Sequence, residues 1–172
     1  MTTVRNIAAG VRSMTSNAFL VDGDRPVLVD AGDGFDAVDR IEAATGGIDA
    51  VVLTHTHPDH ALVDHAIADG ETVRMGDDAF EALHTPGHKD DHLCFYSRGG
   101  GVLFAGDLVF ASGGFGRTDL PEGDRATLVD SIEYLLETVD GSLSAMYVGH
   151  GPAVEANPQY HIELAAQAAR MG

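Results

Sequence analysis

Lysine is almost missing from this chain. Lys89 is the only one in 172 residues, and 27 acidic residues outnumber 10 basic ones for a net charge of −17. The acidity is spread along the chain and is not gathered in a tail. A nucleic-acid binder needs a basic footprint over the phosphates, so that partner class is excluded. The near absence of lysine instead fits a protein kept soluble at high salt, where the Debye length shrinks to about 3 Å at 1 M. Cysteine is as scarce: Cys94 alone excludes an internal disulfide and points to a reducing cytoplasm. No apolar run approaches the roughly 20 residues of a membrane helix. The first six residues lack the charged start and apolar stretch of a secretory leader. The expectation is a cytoplasmic protein without a membrane or nucleic-acid partner. Neither repeats nor a long linker divide the sequence, so residues 1–172 are expected to form a single domain with a sizeable core.

What the chain has in excess is histidine, concentrated in one place. Residues 54–60 read Thr-His-Thr-His-Pro-Asp-His, which sets His55, His57, Asp59 and His60 within six positions. The apolar run Val51, Val52 and Leu53 precedes them and follows two glycines, Gly46 and Gly47. That pattern predicts a buried strand over 48–53 running into a loop. Imidazole nitrogen and carboxylate oxygen are ligands that borderline metals such as Zn²⁺ prefer. A lone surface histidine needs no function. Four such groups desolvated together without a partner would cost several kcal/mol, which favours a metal.

Along the chain, residues 19–21 and 26–30 read as a hairpin around the turn at Asp22, Gly23 and Asp24. Residues 35–44 predict a short amphipathic helix ended by Gly46 and Gly47, and residues 61–68 a second helix stopped by Gly70. Short strands are expected at 71–75, 79–83, 92–96 and 102–105. A tight turn, His-Thr-Pro-Gly-His at 84–88, follows the second of them. Residues 124–139 give the clearest helix, with Leu128, Ile132, Leu135, Leu136 and Val139 on one stripe. A last strand over 145–148 ends at Gly149, His150 and Gly151. Asn157 and Pro158 then open a final helix.

Four predicted strand ends therefore carry ligand-type residues beside glycine or proline. They are His55, His57, Asp59 and His60 at the first, His88 at the second, Asp107 at the third and His150 at the fourth. This set suffices for two ions if one carboxylate bridges. His55, His57 and His88 would hold one ion, Asp59, His60 and His150 the other, and Asp107 would lie between. Two ions about 3.5–4 Å apart can share a water and lower its pKa toward about 7.

The order of these motifs resembles the metallo-β-lactamase superfamily. The match lies in His-x-His-x-Asp-His at 55–60, His-Thr-Pro-Gly-His at 84–88, Ala-Gly-Asp at 105–107, Gly-His-Gly at 149–151 and Leu-Val-Asp-Ala-Gly at 28–32. The resemblance implies a four-layer αββα sandwich with the metals at one edge between the sheets. Between His60 and His88 the chain is expected to be short by one strand–helix unit. Full-length glyoxalase II carries a further helical region that supplies glutathione contacts, and the stretch after His150 is expected to be too short for it. Phe-Gly-Arg-Thr-Asp-Leu-Pro at 115–121 looks like a loop of glyoxalase II-like hydrolases and persulfide dioxygenases. Arg117 in that loop can meet a substrate carboxylate, since guanidinium binds carboxylate in a fork. The alternative is an arginine tied to Asp119 or to a backbone carbonyl.

The resemblance implies a hydrolase with two Zn²⁺ ions, cleaving a small acyl thioester such as a hydroxyacylglutathione. Asp59 would help hold the attacking water. The alternative is a persulfide dioxygenase with one Fe²⁺ per chain held by His57, His88 and Asp107, since two histidines and a carboxylate leave positions open for oxygen. A binding module without catalysis would be expected to have lost ligands, and none is lost. Among the remaining residues, Asp30 is expected to orient a ligand histidine. His92 is read as a supporting donor, His84 as a turn residue, and His65 and His161 as solvated helix residues. Cys94 is expected to pack. Tyr134 and Tyr147 could approach the cleft.

Overall fold

The computed structural model describes residues 2–11, 15–32, 36–56, 65–139 and 141–171. Two mixed sheets face each other. The first has the strand order β1 (Thr3–Asn6), β2 (Phe19–Asp22), β3 (Val27–Val29), β4 (Ala50–Val52). The second runs β5 (Thr72–Met75), β6 (Asp78–His84), β7 (Leu93–Ser97), β8 (Val102–Gly106), β9 (Ala145–Val148). Neighbours pair antiparallel except β3 with β4 and β8 with β9. A parallel pair needs a crossover, and two helices provide it. Helix α1 (Ala37–Thr45) joins β3 to β4, and α2 (Arg125–Thr138) lies between β8 and β9. A third helix, α3 (Pro158–Met171), follows β9.

The two-residue period of the strands sorts their side chains into layers. Phe19, Val21, Val27 and Val29 face Phe80, Ala82, Phe95 and Phe104 across the gap between the sheets. Leu20 and Leu28 point the other way and pack with Ile41 of α1. Leu83, Cys94, Tyr96, Leu103 and Ala105 cover the outer face of the second sheet. They meet Leu128, Ile132 and Leu135 of α2 and Ile162, Ala165 and Ala169 of α3. Three apolar layers thus separate four layers of structure, the αββα order expected. Burying each large apolar side chain contributes roughly 1.5–3 kcal/mol.

Helix ends follow local chemistry. Asp36 accepts from the Asp39 N–H at the start of α1, and Gly46 closes that helix in the left-handed region at φ 78°. Asp124 accepts from the Thr127 N–H at 2.7 Å at the start of α2. The final helix begins at Pro158, as the sequence suggests.

One expectation needs correction, and two elements were not expected. The helix expected over 61–68 is absent from its described part. Residues 61–64 lie outside the described residues, and 65–68 are not helical, so His65 is not a helix residue. The Ala68 N–H instead meets Glu71 Oε2 and the Gly70 N–H meets the Ala82 carbonyl, so this backbone turns onto β6. Strand β1 was not expected; it is short and half exposed. A 3₁₀ turn at Ala111–Gly113 stands in the glycine-rich loop after β8.

Candidate metal centre

Strands β6 and β8 both run antiparallel to β7, and β9 runs parallel to β8. The C-terminal ends of β6, β8 and β9 therefore lie at one edge of the second sheet. The end of β4 reaches the same edge, where the Thr54 carbonyl accepts from the Leu93 N–H at 2.6 Å. His55, His88, Asp107 and His150 lie just beyond these four strand ends.

His55, His88 and Asp107 each present a ligand atom within 4.8 Å of the other two. Asp107 Oδ2 lies 3.6 Å from His88 Nε2 and 3.4 Å from His150 Nε2, so one carboxylate oxygen is approached by two imidazoles. Asp107 Oδ1 is buried and accepts no hydrogen bond from a described residue. A buried carboxylate oxygen is costly unless paired, and a cation would satisfy it. The donor set and the orphaned oxygen thus fit a metal ion. His57, Asp59 and His60 lie outside the described residues.

His88 and His55 are each held in a defined tautomer. His88 Nδ1 lies 2.9 Å from the Arg117 carbonyl. A carbonyl only accepts, so Nδ1 carries the proton and the Nε2 lone pair faces Asp107. The Thr54 hydroxyl donates to Asp30, 3.0 Å from Oδ2, and His55 Nδ1 lies 3.0 Å from the same hydroxyl. A carboxylate cannot donate, so the chain runs from the His55 Nδ1–H through Thr54 to Asp30. The Thr54 N–H adds a bond to Asp30 Oδ1 at 2.8 Å. The expected orienting role of Asp30 therefore acts through Thr54. Asp30 stands in left-handed backbone at φ 57°, and burial pushes its carboxyl up to about 6, against the bonds from Thr54.

His92 corrects another expectation. It is an acceptor toward the site, taking the Asp107 backbone N–H on Nε2 at 3.0 Å. Its Nδ1 then donates to Thr85 Oγ1 at 2.9 Å, and Thr85 donates to Cys94 Sγ at 3.3 Å. Burial, with His55 beside it, pushes His92 down to about 3, so it stays neutral and fixes the backbone of Asp107.

Charge converges on Asp107. Burial works to raise its pKa, but His150, His55 and His88 together hold the carboxyl below its usual range. The hydrogen bond to Asp107 in turn raises His150. Glycine is required close by: a Cβ on Gly149 would come within 1.9 Å of Asp107 Oδ1. At Gly87, with φ 127°, a Cβ would meet the backbone of Leu128 at 2.4 Å, so the turn before His88 sits directly on α2.

Two cavities adjoin the centre. One of about 40 Å³ lies between Asp30, His55, Asp107 and His150. The other, of about 290 Å³, is lined by His88, Asp107, Phe110, Phe115, Leu120 and Arg117. Arg117 is at its rim, but its guanidinium forms a two-bond fork with Asp119, at 2.9 and 2.8 Å. Phe115 is backed by Arg125, whose guanidinium lies 4.2 Å from the ring centre. His161 accepts the Ser112 N–H at 2.8 Å and so is not simply solvated. His84 is the last residue of β6, paired with Leu93, rather than the turn residue expected, and its side chain bonds the Asp90 carbonyl. Cys94 is buried, which pushes its thiol up to about 12, and packs as expected. Tyr147 packs between the sheets against Phe19 and Phe104, and neither it nor Tyr134 lines the cavities.

Thr54, Thr85, Asp91 and Asn17 support the site without having been singled out in the sequence. Asp91 Oδ2 accepts from both the N–H and the hydroxyl of Thr56, next to His55. Asn17 bonds the loop that carries His150.

A family model for the metallo-beta-lactamase superfamily matches residues 12–69 and 61–150. The hydroxyacylglutathione hydrolase of Aeromonas salmonicida is 32% identical over 149 residues, covering 72% of this chain and 56% of that protein. Hydroxyacylglutathione hydrolase GloC of Haemophilus influenzae is 40% identical over 83 residues, covering 48% and 38%. This chain spans about half the length of the first of these hydrolases, or less for the second. Among solved structures, TTHA1623 in a di-iron-bound form superposes with a TM-score of 0.70 at 28% identity, covering 88% of this chain and 92% of that one. ETHE1 from Myxococcus xanthus gives 0.71 at 23%, covering 99% and 90%, a likeness of fold alone. No described helix is long and apolar enough to cross a membrane. The chain belongs to the metallo-beta-lactamase superfamily.

Proposed function

We propose that this protein is a metal-dependent hydrolase of a small acyl thioester, of the glyoxalase II-like type. The carrying observation is Asp107 Oδ2, set 3.6 Å from His88 Nε2 and 3.4 Å from His150 Nε2, with His55 also within reach. A carboxylate flanked by imidazoles on two sides suits a pair of ions better than one. His55, His57 and His88 would hold one, Asp59, His60 and His150 the other, with Asp107 shared; zinc is the favoured metal. Such ions supply Lewis acidity toward an acyl carbonyl and a water of lowered pKa.

The chain's own residues do the rest. The Arg117 carbonyl keeps the His88 Nε2 free of its proton. Thr54 and Asp30 do the same for His55. Phe110, Phe115 and Leu120 give the larger cavity an apolar wall that excludes water from a bound acyl group. Asp59 is the proposed holder of the attacking water. A leaving thiol of pKa near about 8.5 departs as thiolate, so no separate general acid is required. The hydroxyacylglutathione hydrolases similar to this chain suggest the thioester.

The test is metal analysis of protein grown with both zinc and iron, followed by assay on a hydroxyacylglutathione. About two zinc ions and thioester cleavage support the proposal. Two bound ions without cleavage of any acyl thioester would overturn the substrate class. A second reading, a persulfide dioxygenase with one iron, uses two histidines and a carboxylate: His57, His88 and Asp107 are the set expected from the sequence, and among the described residues His55 lies within reach of the latter two. One iron per chain and oxygen uptake with a persulfide would select it.

Arg117 is the proposed contact for a substrate carboxylate, which must compete with Asp119 for the guanidinium. Replacing Arg117 by alanine is expected to raise KM severalfold for a thioester carrying a carboxylate, with kcat within about twofold. An unchanged kcat/KM would remove Arg117 from the substrate site.

The acidic composition is proposed as an adaptation to high salt. The single lysine is not on the surface: Lys89 is buried and paired with Glu122 at 2.8 Å. Raising KCl from 0.1 to 1 M is expected to raise the melting temperature, because screening relieves the repulsion of a −17 charge. A melting temperature that falls would count against it.

A further inference from the structure

Asn17 belongs to none of the proposed ligand sets, yet it brackets one of their members. Its backbone N–H donates to the Gly149 carbonyl at 2.7 Å. Its side-chain Nδ2 donates to the Val148 carbonyl at 2.7 Å and to the Gly151 carbonyl at 2.9 Å. The residue these three carbonyls flank is His150. Both Nδ2 hydrogens are thereby used, and Asn17 Oδ1 is itself held by Asn6 Nδ2 at 2.7 Å. Asn6 Oδ1 in turn accepts the Ala8 N–H at 3.0 Å. The bracket is thus anchored at the end of β1, in the first sheet.

The second sheet holds the same loop from the other side. The Gly149 N–H donates to the Gly106 carbonyl at 2.8 Å, next to Asp107. Among the described residues β9 is the outer strand of that sheet; Val154 bridges Met146 on its free edge, and no strand lies beside the carbonyls at and beyond its end. Asn17 takes that place. The His150 side chain is 55% exposed, and among the described residues Phe110 lies edge-on to it with ring centres 6.2 Å apart. The imidazole reaches Asp107 Oδ2, 3.4 Å from its Nε2, from a backbone that Asn17 and Gly106 pin.

We propose that Asn17 is a positioning residue that aims His150 at Asp107 and so decides whether a second ion is retained on the His150 side of the site. The proposal rests on the metal-site reading above. Its test is calorimetric titration of the metal-stripped full chain with Zn²⁺ alone. N17D keeps the shape, the backbone N–H and the acceptor for Asn6, but sets an oxygen against the carbonyls of Val148 and Gly151. H150A marks how the protein behaves without the ligand itself.

The wild type is expected to take about two zinc ions. N17D should hold the first within about threefold of the wild-type affinity and bind the second about 10–100-fold more weakly, the usual cost of removing a ligand's support. H150A should share that profile. Two ions at unchanged affinity in N17D would overturn the proposal. A parallel weakening of both would also overturn it, since a clamp that merely joins the sheets would act that way. Should N17D fail to fold by circular dichroism, N17A decides on the same two outcomes. A wild type that takes up one ion or none would fail the two-ion reading itself, before any variant is compared, and this inference with it.

Discussion

Replacing Asp107 by asparagine is expected to abolish metal uptake and to lower thioester hydrolysis by well over a hundredfold. The loss should exceed the roughly 10–100-fold that follows from disturbing a ligand's supporting partner, because the ligand itself is changed. Asparagine keeps the shape of the side chain. It also keeps the backbone N–H that His92 accepts, so the turn after β8 stays in place. What is removed is the negative charge between His88 and His150 and one of the two carboxylate oxygens, which becomes an NH2 that cannot accept a cation. The sign of the accompanying stability change follows from the carboxyl being held below its usual range. A depressed pKa contributes stability above the unfolded value near 3.8, and that contribution is lost as pH falls through the folded value. The metal-free variant should therefore melt below the metal-free wild type at neutral pH, and the gap should close in acid. Metal content, hydrolysis rate and the two melting curves check this. Activity within tenfold of wild type would sink the assignment of Asp107.

The four strand ends were legible because each announces itself locally: an apolar run, then a histidine or aspartate with glycine or proline close by. His55, His88, Asp107 and His150 come together as that pattern implies. The supporting bonds were not legible, because nothing in local spacing marks them. Thr54 and Asp30 are 24 positions apart, His88 and the Arg117 carbonyl 29, and Asn17 and the Val148 carbonyl 131. Asp30 stood out only through its motif, and its connection through a threonine hydroxyl did not. His92 was visible as a histidine near the site, but whether it donates or accepts depends on the backbone of another strand. The fold shows the same division. Strands with apolar residues on both faces, such as β2, β3 and β7, were readable from composition. Strand β1 is half exposed and four residues long, and its signal is too weak to read. Residues 65–68 have helix-compatible composition, yet neighbouring Gly70 spends its N–H on β6, and tertiary pairing overrides propensity there.

Asp30 should show the opposite balance from Asp107, with stability gained and function lost. Burial pushes its carboxyl from 3.8 to about 6 in the metal-free protein, and the nearby Asp107 pushes in the same direction. A raised carboxyl pKa means that the folded state binds the proton more tightly than the unfolded state. The stability this provides is present below about pH 4 and is lost as pH rises toward 6. At pH 7 the ionised group costs about 3 kcal/mol, since each tenfold gain in proton affinity is worth roughly 1.4 kcal/mol. Asparagine removes that cost. Its carboxamide oxygen can still accept the Thr54 N–H, and asparagine tolerates the left-handed backbone at φ 57°. The metal-free D30N protein is therefore expected to be more stable than wild type at pH 7 by about 2–3 kcal/mol, with a flatter stability profile between pH 4 and 6. The same change weakens the relay through Thr54 to His55 Nδ1, since a neutral amide pulls less strongly on the hydroxyl proton than a carboxylate does. Metal affinity should fall about 10–100-fold. Denaturant unfolding of the metal-free proteins across that pH range, paired with zinc titrations, measures both effects. A D30N protein that is less stable at pH 7, or one that binds zinc as tightly as wild type, would show that Asp30 is an ordinary structural carboxylate. The opposite pair of results would mean that the fold tolerates a buried negative charge at Asp30 because the charge holds a histidine ready for its metal.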